Sequence, residues 1–242
     1  MNEYNLLGKI SDHIIKGKFD PLIHQQDSKA KSQPGISELI RLSVKKNVPP
    51  PLISVDALDK AMYKSIKKYE EGQFLLPELI ATAKRTTKAR NILAKYVGNN
   101  FSLSKGKAVL ATIYGQDHTN WRDITAAFLK GLGFKTIDLG ASVSVKEIVQ
   151  SVKNDTPDFL GITMPATSII PEINAMSLKP SISEVKRMID TLSEEGCRKN
   201  IKIMIGGYVN EIESAEAIGA DYCCNDMFQT IALLNSFYNS HN

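Results

Sequence analysis

Apolar positions in the amino-terminal part of the chain recur at intervals of three and four, the period of an α-helix with one buried face. From Tyr4 to Ile15 they are Leu6, Leu7, Ile10 and Ile14, and Gly17 and Pro21 close the segment. Residues 20 to 35, rich in Asp, Gln, Ser, Lys and Pro, carry no period and read as a loop. A second helix is expected from Ser37 to Lys46, with Leu39, Ile40, Leu42 and Val44, ended by Pro49-Pro50-Pro51. A third follows from Val55 to Glu71 through Leu58, Met62, Ile66 and Tyr69, with Gly72 as its stop. Phe74-Leu75-Leu76 is an apolar break, and Pro77-Glu78 opens a fourth helix that continues through Leu79, Ile80, Ala83 and Arg90 to about Tyr96. Four amphipathic helices predict a small bundle over residues 1–97, and residues 98–106 read as a linker.

Beyond the linker the period changes. Short β-rich runs at 108–114, 135–139, 159–163 and 201–205, with a weak one near 221–224, alternate with helical segments. Ser144/Glu147, Ser181/Glu184 and Asn210/Glu213 have capping-box spacing and predict three helix starts. The fold class is α/β: a Rossmann-like, five-stranded, doubly wound parallel domain over residues 107–242, behind the helical bundle. Strand order 2-1-3-4-5, as in flavodoxin-like sheets, puts a crevice between the carboxyl ends of the first and third strands. Ligand contacts are then expected from Gly115 to Trp121, from Thr163 to Pro180, and from Gly206-Gly207-Tyr208.

The first of these loops carries His118, directly after the first strand. It contains no G-x-G-x-x-G, and the chain has no G-x-x-x-x-G-K-S/T or G-x-S-x-G, which argues against nucleotide binding and a hydrolase triad. One imidazole without companion ligands makes a poor site for a bare metal, yet suffices where a macrocycle supplies the equatorial ligands. Gln116, Asp117 and Thr119 are candidates to fix the imidazole, and Gly206-Gly207 lets backbone approach a bulky ligand. Taken alone, Gln116 and Asp117 could equally cap the following helix, and Trp121, Phe74 and Leu75 could be core residues.

The 242 residues are 43% hydrophobic and 23% charged, as in an ordinary globular protein. A net charge of +4 with no basic stripe gives little support to nucleic-acid binding. No apolar run approaches the roughly 20 residues of a membrane span, and the start lacks a signal-peptide pattern, so a cytoplasmic location without membrane association is expected. Cys197, Cys223 and Cys224 have no zinc or C-x-x-C spacing and read as reduced thiols.

Several stretches together resemble the corrinoid-binding proteins of methyltransferase systems, which are similar to the cobalamin module of methionine synthase. They are Glu71 to Leu79, Gly115-x-x-His118, Ile137-Asp138-Leu139-Gly140, Gly206-Gly207 and Gly219-Ala220-Asp221, spread over roughly residues 40 to 240. The resemblance implies cobalamin as cofactor, with His118 the lower axial ligand of cobalt. It implies that Thr163 stands for the family's Ser after the third strand, and that Gly206 and Gly207 line a channel for the nucleotide tail. Phe74 and Leu75 would belong to a cap over the ring. Pro165, Thr167, Tyr208 and Cys224 join the expected cofactor contacts as neighbours on the same loops and strand ends. Two departures stand out: Gln116 takes the place of the family's Asp, and Trp121 that of a Gly, where an indole would narrow the tail channel or stack on the nucleotide base. The segment Ile169 to Pro180 reads as an insertion beside that channel.

The implied function is a methyl carrier, loaded by a donor-specific methyltransferase and unloaded by a second one onto tetrahydrofolate or a thiol. A corrinoid-reducing activase is a further implied partner, and the chain itself would catalyse neither transfer. The alternative is a cobalamin sensor or a degenerate module for another small molecule. A mutase small subunit is weaker, because the large substrate barrel is missing.

Overall fold

The computed structural model describes residues 3–17, 34–97, 103–113, 120–164, 171–207 and 215–240. They fall into two compact units, residues 1–104 with Lys130–Gly133, and Lys105–Leu129 with 134–242. Residues 20–33 of the loop expected at 20–35, linker residues 98–102 and the Asn210/Glu213 pair lie outside the described residues.

In the first unit, α1 (Glu3–Lys16) and α2 (Ile36–Lys45) turn Leu6, Ile10, Ile14, Ile36, Leu39 and Ile40 into one buried cluster. The three prolines do more than end α2. Pro49 is the N-cap of α3 (Pro50–Ile53), where a residue without an N–H costs nothing because the first-turn donors have no helical partner anyway. The chain then passes through a π-helical turn, Ser54–Asp59, into α4 (Lys60–Glu70). Residues five apart point about 140° away from each other in an α-helix, whereas i→i+5 bonding brings them to one side. Ser54 and Asp59 are so placed, and both receive hydrogen bonds from Arg90 of α5 (Leu76–Ala94). The buried guanidinium also donates to the Gly131 carbonyl at 3.1 Å, which completes its surroundings within this unit. Along α5 the buried Thr82 and Thr86 donate to the carbonyls of Glu78 and Thr82, so polar residues line a packed face without loss of hydrogen bonding.

The second unit holds five parallel strands, β1 (Lys107–Thr112), β2 (Lys135–Asp138), β3 (Phe159–Thr163), β4 (Lys202–Gly206) and β5 (Tyr222–Cys224), in the order β2-β1-β3-β4-β5. This is the order expected from the alternating pattern. Side chains alternate between the two faces. Val109, Ala111, Leu160, Ile162, Ile203 and Ile205 pack on one face against α7 (Val145–Asp155) and α8 (Pro171–Glu194). The opposite face is covered by α6 (Asn120–Leu132) and α9 (Met227–Ser240), where the Phe237 ring lies 5.7 Å from that of Phe159.

Ser144 caps α7 as its spacing with Glu147 predicts: the Glu147 N–H donates to Ser144 Oγ, and the Ser144 N–H to Glu147 Oε2. Ser181/Glu184 is not a helix start, because α8 is already helical from Pro171 and runs through Pro180. A proline inside a helix removes one N–H, and here the helix continues past it. Glu184 pairs instead with Arg187 at 2.5 Å. The stretch expected as a loop and insertion is thus helical over residues 171–180.

Asp221 closes the β4–β5 corner. Its carboxylate accepts from Arg198 Nη2 at 2.8 Å, Lys202 Nζ at 2.9 Å and the Ile203 N–H at 2.9 Å. Burial alone would raise its pKa; the Ile203 N–H, Lys202 and Arg198 outweigh burial and hold it below the ordinary carboxylate value. A folded pKa below the unfolded one gives stability that is present above about pH 4 and lost as the pH falls through the folded value. Asp221→Asn is expected to cost about 2 kcal/mol at pH 7 in urea denaturation. The gap from wild type should close below about pH 4; a pH-independent gap would contradict the charge argument.

Candidate functional site

The carboxyl edge of the sheet presents one row of residues in register. Thr112 pairs with Thr163, Thr163 with Gly206, and Gly206 with Cys224 across four adjacent strands. Paired residues in neighbouring strands share a face. The row lies on the α6/α9 face, because Thr112 accepts a hydrogen bond from Arg122 of α6, at 3.3 Å. Both threonines are buried, and Thr163 Oγ1 has no hydrogen-bond partner. A buried hydroxyl left unpaired costs about 1–3 kcal/mol, so Thr163 marks a place where a polar ligand atom would be welcome.

Arg122 anchors the start of α6. Its guanidinium is buried and lies 3.0 Å from both Asp123 and Asp138, the latter at the end of β2. The Asp138 carboxylate also accepts the Gly140 N–H at 3.0 Å, which turns the chain out of the strand. Trp121, the neighbouring residue, is thereby held over the row. A Cβ at Gly206 would overlap Cζ2 and Cε2 of the Trp121 indole, so the ring lies directly on the bare Cα. The indole Nε1–H donates to Thr230 Oγ1 at 3.1 Å, and the fully buried Thr230 donates in turn to the Asp226 carbonyl at 2.8 Å.

Gly207, with φ +101°, passes so close to β3 that a Cβ there would meet the Met164 carbonyl oxygen at 2.7 Å. Within the described structure the space at each of these two glycines is therefore taken by the chain itself. Cys224 is buried beside Thr230, and burial pushes its thiol up to about 11. Burial likewise raises Cys223 to about 11, so neither is a thiolate nucleophile at neutral pH.

Of the residues singled out in the sequence, Trp121, Thr163, Gly206 and Cys224 come together at this edge, with Gly207 adjoining. Gly115, Gln116, Asp117, His118, Thr119, Pro165, Thr167 and Tyr208 lie outside the described residues. Phe74 and Leu75 belong to the first unit, in the turn between α4 and α5. Leu75 is 70% exposed, and its N–H donates to Glu78 Oε2. Lys68 Nζ sits 5.0 Å from the centre of the Phe74 ring, a cation–π contact. Arg122 and Thr230 escaped the sequence reading. Arg122 had a signal, a cation on the buried side of α6; Thr230 had none.

Among the described residues no group of three or more His, Cys, Asp or Glu could hold a bare metal ion. No helix among them is long and apolar enough to cross a membrane.

A doubly wound parallel sheet with a half-polar, glycine-broken carboxyl edge, preceded by a helical unit, defines an α/β module of the kind that binds ligands at the carboxyl ends of its strands. Residues 106–230 match the B12 binding domain family, to which the chain belongs. The cofactor of that family is cobalamin, a corrinoid with a central cobalt. Dimethylamine corrinoid protein 1 of Methanosarcina acetivorans is 26% identical over 233 residues, 96% of this chain and 97% of that one. A corrinoid protein of Desulfitobacterium hafniense is 26% identical over 83% of this chain and 91% of its own length. Two solved structures share the fold. A chain of the methanol:cobalamin methyltransferase complex of Methanosarcina barkeri superposes over 97% of this chain and 80% of its own, with TM-score 0.74 at 19% identity. A cobalamin-binding protein of Desulfitobacterium hafniense covers 98% of both chains, with TM-score 0.64 at 21% identity.

Against this cofactor the edge divides in two. The unpaired Thr163 hydroxyl fits a polar ligand group, whereas the space over Gly206 is filled by the indole. Gly206→Ala is expected to expel the ring and to cost about 1–3 kcal/mol through overpacking. Trp121 is the chain's single tryptophan, so the expulsion reads directly as a red shift of intrinsic fluorescence; unchanged emission would count against the contact.

Proposed function

We propose that the chain is a methyl carrier: it holds a corrinoid that one methyltransferase loads from a methyl donor and a second unloads onto an acceptor such as tetrahydrofolate or a thiol. The observation that carries this reading is likeness over nearly the whole length, both units included, to a dimethylamine corrinoid protein. The B12 binding domain alone would be equally suited to a sensor; the match across 96% of the chain favours the carrier.

When bound, the corrinoid supplies a cobalt centre that takes up and releases the methyl group. The chain's own residues bind and orient it. His118, in the stretch of sequence between β1 and α6, would hold the cobalt. Thr163 offers its unpaired hydroxyl at the edge. Arg122, through Asp138 and Thr112, fixes the first turn of α6 against β1 and β2. Phe74 and Leu75 would contribute apolar surface against the bound corrinoid, a role that the high exposure of Leu75 suits. Neither transfer is catalysed by the chain, which works in the cytoplasm with two methyltransferases and a corrinoid-reducing activase.

The test is retention. The chain is incubated with hydroxocobalamin, and in parallel with diaquacobinamide, which lacks the nucleotide base, and then freed of excess by gel filtration. Near-stoichiometric retention of at least one corrinoid is expected, with a visible spectrum that changes in His118→Ala. The reduced holoprotein should then gain a methyl–cobalt absorption band when given dimethylamine and a dimethylamine-specific methyltransferase, or the methyltransferase encoded beside its own gene. Failure to retain either corrinoid would sink the reading.

A further inference from the structure

The indole on Gly206 stands where the resemblance places the channel for the cofactor's nucleotide tail. We propose that Trp121 fills the seat of the nucleotide base and is the residue that sets corrinoid specificity: the chain takes a corrinoid without a seated base in preference to one whose base must enter between β4 and α9. This inference rests on the corrinoid-carrier reading.

Three observations bear on it. The first is steric. The indole lies on the Gly206 Cα so closely that not even a methyl group fits between them, and a base seated against the same glycine would have to occupy the same volume. Both are flat fused bicycles, so the side chain substitutes for the base in shape as well as position.

The second is the way the ring is held. Its Nε1–H is spent on Thr230, whose own hydroxyl is spent on the Asp226 carbonyl. The Gln229 N–H donates to Asp226 Oδ1 at 2.8 Å, so the hydrogen-bond chain ends in the N-terminal cap of α9. From the other side, the adjoining Arg122 ties the start of α6 to β1 and β2. Moving the indole out breaks its hydrogen bond, exposes a half-buried aromatic ring and leaves Thr230 short of a donor. Entry of a base bears all of those losses; binding of a corrinoid without one bears none.

The third is Thr163. Its hydroxyl is buried and unpaired in the same row as Gly206, one strand away. An indole face offers it no lone pair. The polar lining of a ligand seat is thus present while its volume is filled by an apolar ring, the pattern left when a glycine in a ligand channel is replaced by tryptophan.

The experiment measures dissociation constants of the full chain for hydroxocobalamin and for diaquacobinamide by equilibrium dialysis, in wild type, Trp121→Gly and Thr230→Val. Wild type is expected to bind diaquacobinamide at least tenfold more tightly than hydroxocobalamin. Trp121→Gly should improve hydroxocobalamin binding tenfold or more while changing diaquacobinamide binding less than threefold. Thr230→Val, which keeps the side-chain shape while removing the acceptor of the indole and the donor to the Asp226 carbonyl, should shift the ratio in the same direction by a smaller factor and covers the case in which Trp121→Gly does not fold. Adding Thr163→Val to Trp121→Gly should weaken hydroxocobalamin binding selectively, because the opened seat then lacks its hydroxyl. An equal ratio of the two affinities in wild type and variants overturns the specificity role and leaves the carrier reading standing. Loss of both ligands from all forms overturns both.

Discussion

The missing Cβ of Gly206 is the constraint on which the arrangement of this edge depends. β4 ends in a residue that presents only backbone to the α6/α9 face, and that absence lets an indole lie flat on the sheet. With any larger residue, Trp121 would swing away, Thr230 would lose its donor, and the starts of α6 and α9 would no longer be joined through the indole. A single hydrogen atom in place of a methyl group therefore fixes the spacing of two helices on one face. The neighbouring strands feel the same economy of volume: at Gly161, one pleat deeper on that face, the side chain of Leu110 takes the space a Cβ would fill.

The helical unit solves a different problem, how to bury a cation. Arg90 is surrounded by Ser54, Asp59 and the Gly131 carbonyl, and the π turn brings the first two to the same side. A buried guanidinium is tolerable only when its donors are matched in number and direction, and a regular α-helix would have turned Ser54 and Asp59 apart. The irregularity of the helix and the burial of the charge explain each other.

Period and punctuation made the architecture legible. Alternating apolar runs gave five strands within a residue or two of their ends, and Ser144/Glu147 gave the start of α7 to the residue, because both signals are local. The misreadings were also physical. Ser181/Glu184 has the spacing of a helix start but lies inside α8, since spacing alone does not say whether the preceding residues are already helical. Pro49-Pro50-Pro51 was legible as a stop and also serves as a start. The π turn left no mark, because Leu58, Met62 and Ile66 keep an α-helical interval across its end. At the site, Thr163, Gly206 and Trp121 were legible as candidates, yet their mutual contact was not: Trp121 meets Gly206 across 85 positions of chain through packing that no motif encodes. Thr230 was invisible for the same reason, being one threonine of an apolar helix until the indole reaches it.

The anchoring of α6 and α9 has a consequence for how the sheet moves. Both helices touch the Thr112–Cys224 row within their first turns, α6 through Arg122 and Trp121 and α9 through Thr230. The Trp121–Thr230 hydrogen bond spans the row over Gly206, so a displacement of the indole is shared by two helices and four strand ends instead of being absorbed by one.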